Sequence, residues 1–153
     1  MKKIAVAVLV IVSVFYSCAK KEMGCTPVSP ESEESQIKAY ATANNIQATR
    51  HTSGMYYQII DSGAGATPVN NSTVTATYTG KLLNGTTFDS GTGSFPLYRV
   101  IEGWQIGIPL IKKGGKIKLI IPSSYAYGCN GSPQGGIPSN AVLYFDINLV
   151  DVK

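Results

Sequence analysis

Past Gly54 the apolar residues recur at every second position, a period that only an extended strand turns into a buried face. Met55, Tyr57 and Ile59 alternate with Tyr56, Gln58 and Ile60, so both faces of this run are partly apolar, and Asp61-Ser62-Gly63-Ala64-Gly65 breaks it. Val74, Ala76 and Tyr78 alternate with Thr73, Thr75, Thr77 and Thr79 in a second strand, whose β-branched side chains suit a pleated surface. Asn84-Gly85 supplies a hairpin turn between Lys81-Leu82-Leu83 and Thr86-Thr87-Phe88. Gly91, Gly93 and Ser94 read as a loop. Ile117, Leu119 and Ile121 continue as a strand, a glycine- and proline-rich loop runs from Tyr127 to Asn140, and Val142, Tyr144 and Asp146 against Leu143, Phe145 and Ile147 form the last strand.

The period changes to that of a helix in two places. Ile37, Tyr40 and Ala41 recur at i, i+3 and i+4 behind the potential caps Ser32 and Ser35, which predicts a short amphipathic helix ending near Asn44-Asn45. Between Val100 and Ile111 the apolar residues Ile101, Trp104, Ile106 and Ile108 predict a second short helix stopped at Pro109, with Trp104 on its inner face. Strands outnumber helices, and the arrangement that buries them is an antiparallel sheet curled over one helix, an α+β fold. A chain of 153 residues, 44% apolar and only 14% charged, has room for one such domain and its core.

The first residues stand apart from the fold. Lys2 and Lys3 precede an apolar run from Ile4 to Val12 that continues through Val14, Phe15 and Tyr16, the pattern of a signal peptide over 1–17. Phe15-Tyr16-Ser17-Cys18 resembles a bacterial lipobox, so Cys18 is expected to carry a lipid after processing, with an ordinary soluble exported product as the alternative. Residues 18–35 are polar, with Pro27, Pro30, Glu31, Glu33 and Glu34, and read as a flexible tether; 36–53 hold the short helix and a lead-in, and 54–153 the folded domain. Localisation outside the cytoplasm follows, in a periplasm or at an outer membrane or cell surface. Cys25 and Cys129 are then left to pair or to stand free, and two free thiols are expected because a flexible segment need not bring Cys25 to Cys129.

Most catalytic chemistries find no equipment here. The single histidine, His51, lies in a polar stretch before the sheet, which argues against a histidine triad or metal centre. Ser123-Ser124 has no base beside it and reads as a turn. The net charge is +4, two of the cations are Lys2 and Lys3, and no basic run exceeds Lys112-Lys113, so no nucleic-acid partner is indicated. No metal or cofactor is expected. What the domain does concentrate is aromatic: Tyr78, Phe88, Tyr98, Trp104, Tyr125, Tyr127, Tyr144 and Phe145.

Four stretches, in order, give these aromatics a context. They are Val74-Thr75-Ala76-Thr77-Tyr78-Thr79-Gly80 with Gly85-Thr86-Thr87-Phe88-Asp89-Ser90, then Val100-Ile101-Glu102-Gly103-Trp104, then Ser124-Tyr125-Ala126-Tyr127-Gly128, then Ile137-Pro138 with Leu143-Tyr144-Phe145-Asp146. Together they resemble the FKBP-type peptidyl-prolyl cis-trans isomerases from Thr73 to Lys153, and the Gly54-Met55-Tyr56-Tyr57 lead-in resembles that of secreted bacterial members. The resemblance implies a strongly bent antiparallel sheet wrapped around the helix bearing Trp104. It implies catalytic roles for Tyr78, Phe88, Asp89, Trp104, Tyr127 and Phe145, and substrate-binding roles for Phe95, Leu97, Val100, Ile101 and Ile137. Trp104 would floor the pocket, Tyr78, Phe88, Val100, Ile101 and Phe145 would wall it, and Asp89, Tyr127 and Ile137 would stand at its rim. The loop Asn130 to Gly136 is slightly longer than is usual in the family and lacks a large apolar residue before Ile137, a difference that bears on substrate choice.

The expected partners are proline-containing proteins or peptides, with macrolides such as rapamycin as inhibitors and the membrane reached through the N-terminal lipid. The N-terminal helix is smaller than a typical dimerisation arm, and a monomer is expected. The expected activity is faster rotation about X-Pro bonds in exported proteins, assisting their folding; the alternative is a peptide-binding or chaperone module that uses the same pocket without useful turnover.

Overall fold

The computed structural model describes residues 24–153. The signal peptide expected over 1–17 and the lipid expected on Cys18 lie outside the described residues. Six antiparallel strands form one sheet: β1 (Thr49–Arg50), β2 (Tyr56–Asp61), β3 (Thr73–Leu82), β4 (Thr87–Pro96), β5 (Lys116–Ile121) and β6 (Leu143–Val152), in the spatial order β1-β2-β5-β6-β3-β4. Register shifts interrupt three of the ladders, between Ile59 and Asp61, between Gly80 and Lys81, and between Thr75 and Ala76. Such extra residues bend a strand and increase its twist, which lets the sheet wrap.

The sheet buries both faces over part of its area, as the two-sided pattern of its strands requires. Leu119 sits opposite Phe145, and one residue along Ile120 sits opposite Tyr144, so successive residues point to opposite sides. On one side Val74, Ala76, Ile117, Leu119, Ile121, Phe145, Ile147 and Leu149 close over helix α2 (Glu102–Gly107) and the 3₁₀ turn Ile108–Leu110 that extends it. On the other, Tyr56, Ile120, Val142 and Tyr144 receive Ile37 and Ala41 of helix α1 (Pro30–Ala43). Helix α2 can lie this close to β5 because Gly103 faces Ile121 and Gly107 faces Leu119; a Cβ on Gly107 would stand 2.6 Å from a Leu119 methyl. Trp104 is thereby carried into the centre of the wrapped side.

Several expectations need correction. Residues 30–35 are not tether: Pro30 occupies the first turn of α1 beside Glu31 and Glu33, where its missing N–H costs nothing and carboxylates meet the positive end of the helix dipole. The acidic composition of this segment points to a solvated tether because the burial of Glu33 depends on a distant partner. Glu33 is buried and accepts the backbone N–H of Ser123 at 2.8 Å. The segment Gly91 to Ser94 is the middle of β4 and not a loop. Its outer face carries no apolar period because it is solvated, and Thr75–Ser94 and Thr77–Thr92 join across the ladder by hydroxyl hydrogen bonds of 2.7 Å. Cys25 and Cys129 are not free thiols. They form a disulfide with a Cα–Cα distance of 5.3 Å, and the Asn140 side chain donates to the Thr26 carbonyl beside it at 3.2 Å.

Candidate active site

Trp104 forms the floor of a ring of edge-to-face aromatics. Its indole centroid is 5.1 Å from Tyr78, 5.4 Å from Phe145 and 5.8 Å from Phe95, with interplanar angles of 84°, 81° and 89°. Tyr78 and Phe95 also meet edge to face at 5.9 Å. Rings so arranged set positive edges against negative faces and hold one another rigidly, which keeps the space above them open. That space is a cavity of about 290 Å³ lined by Tyr78, Asp89, Phe95, Arg99, Val100, Ile101, Trp104, Tyr127 and Phe145.

Each wall is placed by a local device. Gly80 on β3 leaves room for two rings at once: a Cβ there would stand 2.7 Å from Phe88 Cζ and 2.8 Å from Phe145 Cε1. The 3₁₀ turn Leu97–Arg99 and the extended Val100 lead to Ile101, which caps α2. The Ile101 carbonyl accepts from Trp104 and Gln105 N–H, and the Gln105 side chain donates to the Val100 carbonyl at 2.8 Å. These bonds fix the backbone of the wall, and among the described residues the Ile101 N–H donates no backbone hydrogen bond.

The rim is polar and asymmetric. The Tyr78 hydroxyl donates to Asp89 Oδ2 at 2.8 Å. Burial, and then this bond, push the Tyr78 phenol up to about 12, so it stays a neutral donor at any physiological pH. Tyr127 is raised too, first by burial and then by the Asp89 charge. The indole N–H of Trp104 is buried without a partner among the described residues.

Of the residues expected at the site, Tyr78, Asp89, Phe95, Val100, Ile101, Trp104, Tyr127 and Phe145 line the cavity together. Phe88, Leu97 and Ile137 pack in the same core as Trp104 without lining this cavity. Phe88 packs behind the wall, edge to face on Phe145 at 5.6 Å. Leu97 is fully buried in the core, and Ile137 is buried beneath the loop, paired with Ser132 by two backbone hydrogen bonds. Arg99 also lines the cavity and is not expected there from the sequence; its only signal is that it directly precedes Val100.

This fold and its aromatic cavity define an FKBP-like domain. The crystal structure of FkpA from Escherichia coli superposes with a TM-score of 0.71 at 40% identity, covering 81% of this chain and 61% of that one. The sequence profile of the FKBP-type peptidyl-prolyl cis-trans isomerases matches residues 65–150, and the chain belongs to that family. It is 46% identical over 107 residues to the FKBP-type peptidyl-prolyl cis-trans isomerase FkpA of Escherichia coli strain K12, covering 67% of this chain and 39% of that protein. It is 38% identical over 123 residues to the peptidyl-prolyl cis-trans isomerase Mip of Coxiella burnetii, covering 76% and 53% respectively. The chain thus spans about half or less of the length of these relatives.

Proposed function

We propose that this chain accelerates cis-trans rotation about X-Pro bonds of proteins outside the cytoplasm. The observation that carries the reading is the cage of Tyr78, Phe95 and Phe145 standing edge-on around the Trp104 floor, open above and flanked by an unengaged Ile101 N–H. Rotation about an X-Pro bond faces a barrier of about 18–20 kcal/mol because the planar amide loses its resonance. At the twisted midpoint the amide is less polar, so a dry aromatic cavity holds the transition state better than the planar ground state. The proline ring rests on Trp104; the Ile101 N–H and the Tyr127 hydroxyl hold substrate carbonyls; Asp89 orients the Tyr78 hydroxyl and takes no proton. Phe88 backs the Phe145 wall.

The setting belongs to the same proposal. Residues 1–17 direct export and Cys18 carries a lipid that tethers the domain to a membrane surface, where it works as a monomer on exported clients. A disulfide between Cys25 and Cys129 supports an oxidising compartment.

The test is isomerisation of a short X-Pro peptide, followed by NMR exchange, with the full chain and with rapamycin added. Acceleration abolished by the macrolide is expected. Peptide binding without acceleration overturns the catalytic reading in favour of a peptide-holding module.

A further inference from the structure

Arg99 is the single cation among the residues that line the cavity. It ends the 3₁₀ turn Leu97–Arg99, immediately before Val100 and Ile101. Its guanidinium carbon lies 5.4 Å from the centroid of the Tyr98 ring, a cation–π contact that restrains an otherwise exposed side chain. Among the described residues no carboxylate comes within ion-pair distance of it.

The neighbouring charges leave it unopposed. Glu102, in the first turn of α2, is exposed and makes no ion pair with Arg99. Asp89 is engaged by Tyr78. The loop 128–140 contains no charged residue. Asp89 stands on β4, tied to Tyr78, whereas Arg99 ends the 3₁₀ turn that leads into α2, so the two charges reach the rim from different elements. A peptide whose proline rests on Trp104 carries its next side chains to that rim, since consecutive Cα atoms are only about 3.8 Å apart.

Resting on the reading of the cavity as a proline site, we propose that Arg99 determines specificity by selecting client segments with an aspartate or glutamate next to the proline, on one side of it. Asp89 repels an acidic side chain on its own part of the rim, so the preference is one-sided. Water excluded beneath a bound peptide strengthens the pair relative to an open surface.

The experiment uses paired peptides, Ala-Xaa-Pro-Phe and Ala-Ala-Pro-Xaa, with Xaa as Glu, Gln or Lys. Affinity is read from the emission of Trp104, the only tryptophan, and turnover from NMR exchange. In one of the two series Glu is expected to bind about two- to fivefold tighter than Gln at low salt, with Lys weakest. The ratio should shrink towards one at about 0.5 M salt, where the screening length falls below about 5 Å. Arg99→Gln should bring the Glu-to-Gln ratio to one, Arg99→Glu should invert it and Arg99→Lys should keep it, with circular dichroism confirming that each variant is folded. Equal affinity for Glu and Gln in both series, or a preference that persists in Arg99→Gln, overturns the inference. If the Gln peptides also leave the emission unchanged and are not turned over, the proline-site reading fails and takes this inference with it.

Discussion

Tyr78 and Asp89 are bound hydroxyl to carboxylate at 2.8 Å across the β3–β4 ladder, two positions off direct register, since Tyr78 pairs with Gly91 and Asp89 with Gly80. This diagonal tie sets the Tyr78 ring against both Phe95 and Trp104. Tyr78→Phe keeps the ring and removes the tie. The expected outcome is a fall in kcat/KM of about three- to tenfold, on the scale of one ordinary hydrogen bond of about 0.5–1.5 kcal/mol. Unchanged kcat/KM in the peptide assay would make the bond dispensable.

Burial of the Tyr78 phenol, together with the same tie, predicts a pH profile. The folded Tyr78 phenol sits at about 12, above the unfolded value of about 10. Its contribution to stability is therefore complete below pH of about 10 and is lost as pH rises from there through about 12, when the unfolded chain ionises first. Tyr127 is shifted in the same direction. Activity should be level from neutral pH to about 9, with chemical denaturation showing a decline only above about 10. A basic limb centred near pH 8 in kcat/KM would contradict the protonation states given to both phenols.

Trp104→Phe tests the floor. A phenyl ring is smaller than indole, so the edge contacts from Tyr78, Phe95 and Phe145 cannot all persist. Loss of peptide affinity by about tenfold is expected, together with destabilisation of about 1–3 kcal/mol from the space left in a packed core. Isothermal titration and urea unfolding separate the two effects.

Much of this site was legible in the sequence, for physical reasons that differ by residue. Tyr78 alternates with threonines on a strand, and Trp104 falls on the inner stripe of a short helix, so periodicity alone aims both inward. The start of β4 was legible as the second arm of the hairpin, but its middle, Gly91 to Ser94, was not, because a solvated edge with Gly91 and Gly93 has no apolar period to betray it. Ile137 falls within a matched stretch and Leu97 between two of them, yet their burial depends on how the loop and the turn fold back, which local spacing does not encode. Glu33 and Cys25 were the hardest: each is defined by a partner about a hundred positions away, Ser123 and Cys129.

Gly107 supplies a test of how α2 is seated. Any side chain there meets Leu119, whose methyl would lie 2.6 Å from the new Cβ, and the neighbouring Gly103 leaves no room to slide because it faces Ile121. Gly107→Val should therefore lift α2 from β5, at a cost of about 1–3 kcal/mol. Since α2 carries Trp104, peptide affinity should fall with stability. Gly107 itself has φ −82° and ψ −40°, helical values that any residue adopts, so the loss would come from the steric clash and not from the backbone. A Gly107→Val protein with native melting and affinity would show that the helix is not held by close approach.

The disulfide carries the last prediction. Cys25 and Cys129 close a loop of 104 residues, and constraining so long a loop in the unfolded chain stabilises the fold by about 2–4 kcal/mol. Cys129 lies two residues beyond Tyr127, and its carbonyl accepts the Ser139 hydroxyl, so the bridge also ties down the base of the loop that brings Tyr127 to the rim. The double variant Cys25→Ser/Cys129→Ser should lose about 2–4 kcal/mol in urea unfolding. Reduction of the wild type should reproduce that loss, whereas the variant should be insensitive to reductant. Affinity for a proline peptide should weaken less than stability does, because Trp104, Tyr78 and Phe145 are held by the sheet and α2 rather than by the loop. Unfolding midpoints that match with and without the bridge would mean that the helix α1 contacts alone, Glu33 to Ser123 among them, hold the N-terminal segment in place.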